Sequence, residues 1–295
     1  MDKTYEQLLE ENRQLATDNK RLKNEYDKLG KMYDELSLSY EDALLLYDRA
    51  KEQLRIENEL RIARDIQMAM VPGVFPKREG LDMYAEMTPA REVGGDFYGY
   101  VMQGDKLYFC VGDVSGKSVP ASLFMTQATR LFRTLATQNI MPAEICTFMN
   151  DSLTDGNTTR IFTTFFLGLV DLQTGHLDFC NCGHNAPIIG DAEGHFNLLK
   201  MIPNIPIGAI PKFQFHGEQI DCIKGKTIFL YTDGLSEAEN KKHELFDNKR
   251  IMDILKASCL KNAQQVIETL TSEVEKYRNG AEPNDDLTMM YLKIL

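Results

Sequence analysis

The chain has no concentration of positive charge. Its 33 Lys and Arg are outnumbered by 44 Asp and Glu, giving a formal net charge of −11, whereas nucleic acids and anionic membranes both call for a concentrated basic face. Partners are therefore expected among proteins and small solutes, with no nucleic acid and no membrane. No uncharged apolar run reaches membrane-spanning length, and the N-terminus "MDKTYEQLLEEN" lacks the apolar centre of a signal peptide. A cytoplasmic location is the expectation. The cysteines at 110, 146, 180, 182, 222 and 259 include no CxxC pair and lie mostly in apolar segments, which suits reduced, buried thiols better than disulfides or zinc. What is present, 43% hydrophobic and 26% charged residues in a chain of 295, suits a soluble protein of one or two domains with a sizeable core.

The first 70 residues lack proline and hold one glycine, Gly30. Apolar side chains recur there every seven residues. Tyr5, Asn12, Asn19, Tyr26, Tyr33, Tyr40, Tyr47 and Leu54 form one row, and Leu8, Leu15, Leu22, Leu29, Leu36, Ala43 and Ala50 the row three positions later. These are the a and d seams of a coiled coil, with Leu at d favouring two strands and Asn12 and Asn19 fixing a parallel register. A parallel homodimer over residues 1–55 is expected. After Leu54 the apolar stripe shifts by one residue, to Ile56, Leu60, Ala63 and Met70. One straight interface cannot serve both stripes, so residues 56–76 are read as a regulatory or linker helix running into a Pro- and Gly-rich boundary, "VPGVFPKREG". The second stripe is read as a competing dimer seam.

Beyond that boundary βαβ repeats are absent and hairpins dominate. "GDFYGYVMQGDKLYFCVGDV" turns at Gln103 to Lys106 and "IFTTFFLGLVDLQTGHLDFCNCGH" at Thr174-Gly175. "FQFHGEQI", "KTIFLYTD" and "LTMMYLKIL" add strands. Helical patterns run from Pro120 to about Gln138, Pro142 to about Leu153, and Ala263 to about Arg278. The expected class is α+β: an antiparallel β-sandwich flanked by helices over residues 77–295, preceded by the long coiled-coil helix.

"GDVSGKS", residues 112–118, ends like a phosphate-binding P-loop but has three residues, not four, between its first Gly and the Gly-Lys pair. It also places Asp113 where a carboxylate would repel phosphate. Asp113 has counterparts in Asp96 of "GGDFYG", Asp233 of "FLYTDG", and Asp285 with Asp286 of "NDDLTMM", each beside a strand end. One such residue is an ordinary turn or cap. Several brought to one sheet edge repel one another unless a cation neutralises them, and oxygen-only donors select Mg²⁺ or Mn²⁺.

From about Ile62 onward the chain resembles the metal-dependent serine/threonine phosphatases of the PPM type, in the SpoIIE/RsbU-like branch. The segments that carry the resemblance are "IARDIQMAMVP", "PAREVGGDFYG", "GDVSGKSVPASLFM", "NCGHNAPII", "PIG", "LYTDGLSEA" and "NDDLTMM", in family order. It implies hydrolysis of phosphoserine or phosphothreonine by water activated at two Mn²⁺ or Mg²⁺ ions. Position by position, Asp113 would bridge both metals, Val114 would offer its carbonyl, Asp96 would serve the second metal, and Asp233 and Asp285 would hold the first; Asp286 is the less favoured of its pair. Arg91 is a phosphate-binding candidate and Lys117 a weaker one. The implied substrate is a phosphorylated STAS-domain regulator, an anti-sigma-factor antagonist.

The chain also departs from the family. Ser115 stands where eukaryotic members resemble Asp-Gly-His, so a metal-bound water is the expected acid for the leaving oxygen. Gly99, Ser118 and Ala186 replace the branch's Asp, Gly and Pro, and Gly99 is read as removing an acid near the second metal. His184 in "GHNAP" is read as stabilising a turn. "GGDF" also resembles the GGDEF signature of diguanylate cyclases, which leaves Asp113, Asp233 and Asp285 without a role and requires an acid at Phe97. A non-catalytic scaffold with a vestigial phosphatase fold is the remaining alternative.

Overall fold

Freedom from proline lets helix α1 run unbroken from Tyr5 to Met70 in the computed structural model, which describes residues 4–191 and 193–295. The chain divides into two compact units, residues 1–59 and 60–295. In the first, the seam residues lie open along the helix: Tyr5, Leu8, Leu15, Tyr26, Leu36, Tyr47 and Leu54 are all exposed.

The second unit begins with the last turns of α1, followed by β1 (Leu81–Thr88), β2 (Phe97–Gln103), β3 (Lys106–Val114), α2 (Ser118–Leu135) and α3 (Pro142–Thr154). Then come β4 (Thr163–Asp171), β5 (Leu177–Cys182), β6 (Ile188–Gly190), β7 (Phe196–Leu198), β8 (Glu218–Ile220), β9 (Thr227–Tyr231), α4 (Asp233–Ser236), α5 (Asp247–Ala257), α6 (Ala263–Arg278) and β10 (Leu287–Ile294). The strands form two five-stranded antiparallel sheets, ordered β1-β10-β9-β6-β7 and β2-β3-β4-β5-β8. The α+β sandwich is the one the hairpins lead one to expect.

Alternation along β10 explains how the layers hold. Met290, Leu292 and Ile294 join the large apolar cluster that takes in side chains of both sheets, while Leu287, Met289 and Tyr291 join a second cluster with Ile251, Leu255, Val266, Ile267 and Leu270 of α5 and α6. Successive strand residues face opposite ways, so one strand serves two layers. Helices α2 and α3 cover the other sheet, with Ala121, Met125, Phe132, Cys146 and Met149 buried against it. No helix among the described residues is long and apolar enough to cross a membrane.

The helix is continuous through residue 55. Two expectations change. The shifted stripe is not free for a second seam: Leu60 and Ala63 are half-buried, Gln67 is buried, and Met68 packs against the main core of the chain's own domain. The stripe shifts where the helix begins to pack on its own domain. And "FQFHGEQI" is a strand only at Glu218–Ile220; before it, Phe213 and Phe215 pair edge-to-face in a loop. Strand β1 went unread because "LDMYAEMT" mixes Asp, Ala and Glu into its alternation.

A carboxylate cluster at one edge of the sandwich

Strand pairing brings the acidic residues together. Phe97 pairs with Gly112 in the β2–β3 ladder, so Asp96, just before β2, lies beside Asp113, next to last in β3. Tyr231 pairs with Met289 in the β9–β10 ladder, so Asp233, two residues past β9, lies beside Asp285 and Asp286, just before β10. Each pair sits at one end of its sheet. Thr232 stitches the two sheets: its N–H donates to the Thr288 carbonyl, and its Oγ1 accepts from the Thr288 N–H and donates to Asp96 Oδ2 at 2.7 Å.

The electrostatics follow from crowding. Burial, then the charges of Asp113 and Asp286, push Asp96 well above the usual carboxylate range. Burial and the charges of Asp233, Asp285 and Asp286 push Asp113 up to about 7. Asp233 rises through burial, Asp285 and Glu237. Such raised values mark carboxylates short of positive charge.

Asp285 and Asp286 divide their work. Asp286 is buried and its carboxylate accepts from the backbone N–H groups of Ala90 (2.8 Å), Gly95 (2.8 Å) and Asp96 (3.4 Å), so it holds the loop before β2. Asp285 is more open. Its Oδ2 lies 2.9 Å from Lys117 Nζ, which also donates to the Asn284 carbonyl at 2.7 Å. Of the pair, Asp285 is therefore the one that meets a cation, Lys117. Arg91 and Lys117 both line a cleft of about 20 Å³ with Asp113 and Asp285.

Two glycines are required by close approach. A Cβ on Gly234 would stand 1.9 Å from the Asp286 carbonyl oxygen, and one on Gly95 would stand 2.8 Å from the Val114 carbonyl oxygen. A side chain at 95 would press on the Val114 carbonyl. Gly99 is a correction: a Cβ there would meet Phe132 at 2.9 Å and Cys110 at 3.4 Å, so an acid at this position would enter the α2 core, not the carboxylate cluster. Ser118 adopts φ 63°, the left-handed conformation that explains the glycine the branch pattern carries there. Ser115 is tied across to Phe162, its Oγ accepting from that N–H at 3.0 Å.

His184 forms a closed turn with Asn181, each accepting a backbone or side-chain N–H from the other at 2.9 Å. Its Nδ1 pairs with Thr164 Oγ1 at 2.8 Å, and burial lowers its pKa to about 4, so it stays neutral. The turn-stabilising role fits. Sequence reasoning passed over Gln67. Its Nε2 donates to the Gly94 carbonyl (2.7 Å) and its Oε1 accepts from the Gly94 N–H (3.1 Å), two residues from Asp96. The signal was available, since Gln67 is a polar member of the shifted stripe.

Residues 103–295 match the model of the stage II sporulation protein E (SpoIIE) family. The chain belongs to the SpoIIE family. This SpoIIE-family chain is similar to protein IcfG of Synechocystis sp., 28% identical over 263 residues, which is 79% of this chain and 41% of IcfG. Phosphoserine phosphatase RsbU of Bacillus subtilis is 21% identical over 241 residues, 82% of this chain and 71% of RsbU. The chain thus spans about two fifths of IcfG and most of RsbU. Among solved structures, the SiaA PP2C domain of Pseudomonas aeruginosa shares the fold with a TM-score of 0.72 at 23% identity, over 82% of this chain and 98% of that one. The family leaves no place for the GGDEF reading of "GGDF".

Proposed function

We propose that this chain is a metal-dependent protein serine/threonine phosphatase. One observation carries the reading: Asp96, Asp113, Asp233 and Asp285, drawn from two sheets, meet at one edge, where burial and mutual charge raise the pKa values of the first three and Lys117 is the one ion-pair partner among the described residues. Such an all-oxygen set fits hard divalent ions, Mn²⁺ or Mg²⁺. Asp113, with Asp96 and the Val114 carbonyl on one side and Asp233 and Asp285 on the other, would hold two of them. When bound, they would supply Lewis acidity and a water acidic enough to attack phosphorus in line.

The chain's own residues supply the rest. Asp286 and Gln67 fix the loop that carries Asp96, Thr232 orients the Asp96 carboxylate, and Arg91, which lines the same cleft, is the candidate to receive phosphate oxygens. The substrate is inferred to be a phosphorylated STAS-type anti-sigma-factor antagonist, in keeping with the family resemblance. Residues 1–55 would form a parallel dimeric coiled coil, residues 56–76 a regulatory linker, and residues 77–295 the phosphatase domain. The exposed heptad seam supports the dimer.

The test is hydrolysis of a phosphoserine peptide by the full chain with and without Mn²⁺. Activity should vanish in EDTA and in Asp113→Ala and Asp233→Ala variants that keep native circular dichroism. Turnover that survives exhaustive chelation, or is near normal in either variant, overturns the reading.

A further inference from the structure

Three of the six cysteines form a cluster outside the carboxylate edge. Cys180 and Cys182, two apart in β5, share one face of the strand, and α3 packs across it to deliver Cys146. The three sulfurs lie within 4.8 Å of one another, with Cys180 and Cys182 at 3.7 Å. All three residues are no more than 1% exposed. Their thiols are free.

The 3.7 Å between Cys180 and Cys182 matches ligation. Sulfurs about 2.3 Å from a common centre lie about 3.8 Å apart in tetrahedral geometry. Sulfur-only donors select thiophilic centres and reject the hard ions suited to the carboxylate edge. Structural zinc takes four donors, and here the remaining polar neighbours of Cys180 are the His216 carbonyl, which accepts from its thiol at 3.5 Å, and the Asn204 amide at 3.8 Å. Hydrogen bonds from Cys146 and Cys182, then the His216 charge, hold the Cys180 thiol down at about 5, while burial pushes the other two up.

Charge selects among three-coordinate thiophiles. Three thiolates around a monovalent ion leave two negative charges and around a divalent ion one, and an uncompensated charge is costly in so dry a site. Around trivalent arsenic they leave none. We propose that Cys146, Cys180 and Cys182 form a three-sulfur binding site for trivalent arsenic. In the binding step, As(OH)₃ exchanges three hydroxyls for three thiols: three As–O and three S–H bonds break, three As–S bonds form, and the protons leave with the hydroxyls as three waters. Arsenic stays trivalent. Because the sulfurs are buried, uptake waits on local opening between α3 and β5.

The experiment incubates the reduced full chain with arsenite, removes excess by gel filtration and measures arsenic per chain. One arsenic is expected, with three sulfur and no oxygen neighbours by X-ray absorption. Cys146→Ser should reduce retention by more than the roughly 10–100-fold loss that follows removal of a second-shell partner from a metal site. Cys222→Ser with Cys259→Ser should retain arsenic fully. No arsenic retained by the wild type, oxygen in its coordination shell, or retention unchanged in Cys146→Ser would each overturn the proposal; the absorption measurement uses the wild type alone and so stands even where a variant misfolds.

Discussion

Replacing Gln67 by alanine isolates what the last turns of α1 do for the carboxylate edge. The wild-type amide satisfies both backbone groups of Gly94, at 2.7 and 3.1 Å, in a site where Gln67 is 3% exposed. Alanine leaves a buried N–H and a buried C=O without their partner, each worth about 1–3 kcal/mol. Gly94 also lies close against the Asp286 carboxylate, which a Cβ there would meet at 2.0 Å. If about 2 kcal/mol of the loss appears as displacement of the loop carrying Asp96, the Mn²⁺ concentration for half-maximal activity rises about thirtyfold. The assay is a Mn²⁺ titration of phosphoserine-peptide hydrolysis beside calorimetric Mn²⁺ binding. Turnover at saturating metal should recover. A variant with lower Tm but unchanged Mn²⁺ dependence would refute the reasoning and leave Gln67 as an anchor for the helix alone.

Further outcomes follow from the same structure. Because Asp113 sits at about 7 in the fold against an ordinary value of 3.8, the folded state holds protons that the unfolded chain releases. Its contribution to stability is present below about pH 4 and is lost as pH rises through about 7. The Tm of EDTA-treated protein should therefore fall over that window relative to Mn²⁺-loaded protein, and calorimetry should detect proton release on Mn²⁺ binding; a parallel pH profile for both forms would contradict the site's electrostatics. Ser118→Gly should leave stability unchanged or raise it by up to about 1 kcal/mol, and Ser118→Val should lower it by about 1–2 kcal/mol, since only the left-handed backbone separates them; chemical denaturation checks both. Inserting one residue after Leu54 turns the seam by about 100° relative to Gln67, whereas a heptad restores phase. The single insertion should change activity strongly and the heptad little, and equal activity in both, in wild type and in a chain beginning at Leu60, which keeps Gln67, would reduce the coiled coil to a tether.

Much was legible in the sequence because it was local or periodic. Heptads in residues 5–54 fix a long helix, alternation and turn residues fix the hairpins, and Asp next to Gly at each strand end marks the acidic positions. Tertiary structure decided what those residues meet. Neither "NDD" nor "IQMAM" says that Asp286 caps the loop at Gly95 while Asp285 faces Lys117, or that Gln67 grips Gly94, since partners 27 and 191 residues apart in the chain are set by sheet pairing and packing. The same holds for Gly99, whose missing side chain points at Phe132 through strand alternation, and for Cys146, which reaches Cys180 and Cys182 only because α3 crosses β5. A sequence determines the period of each element; which faces come together depends on how two sheets and their helices share one core.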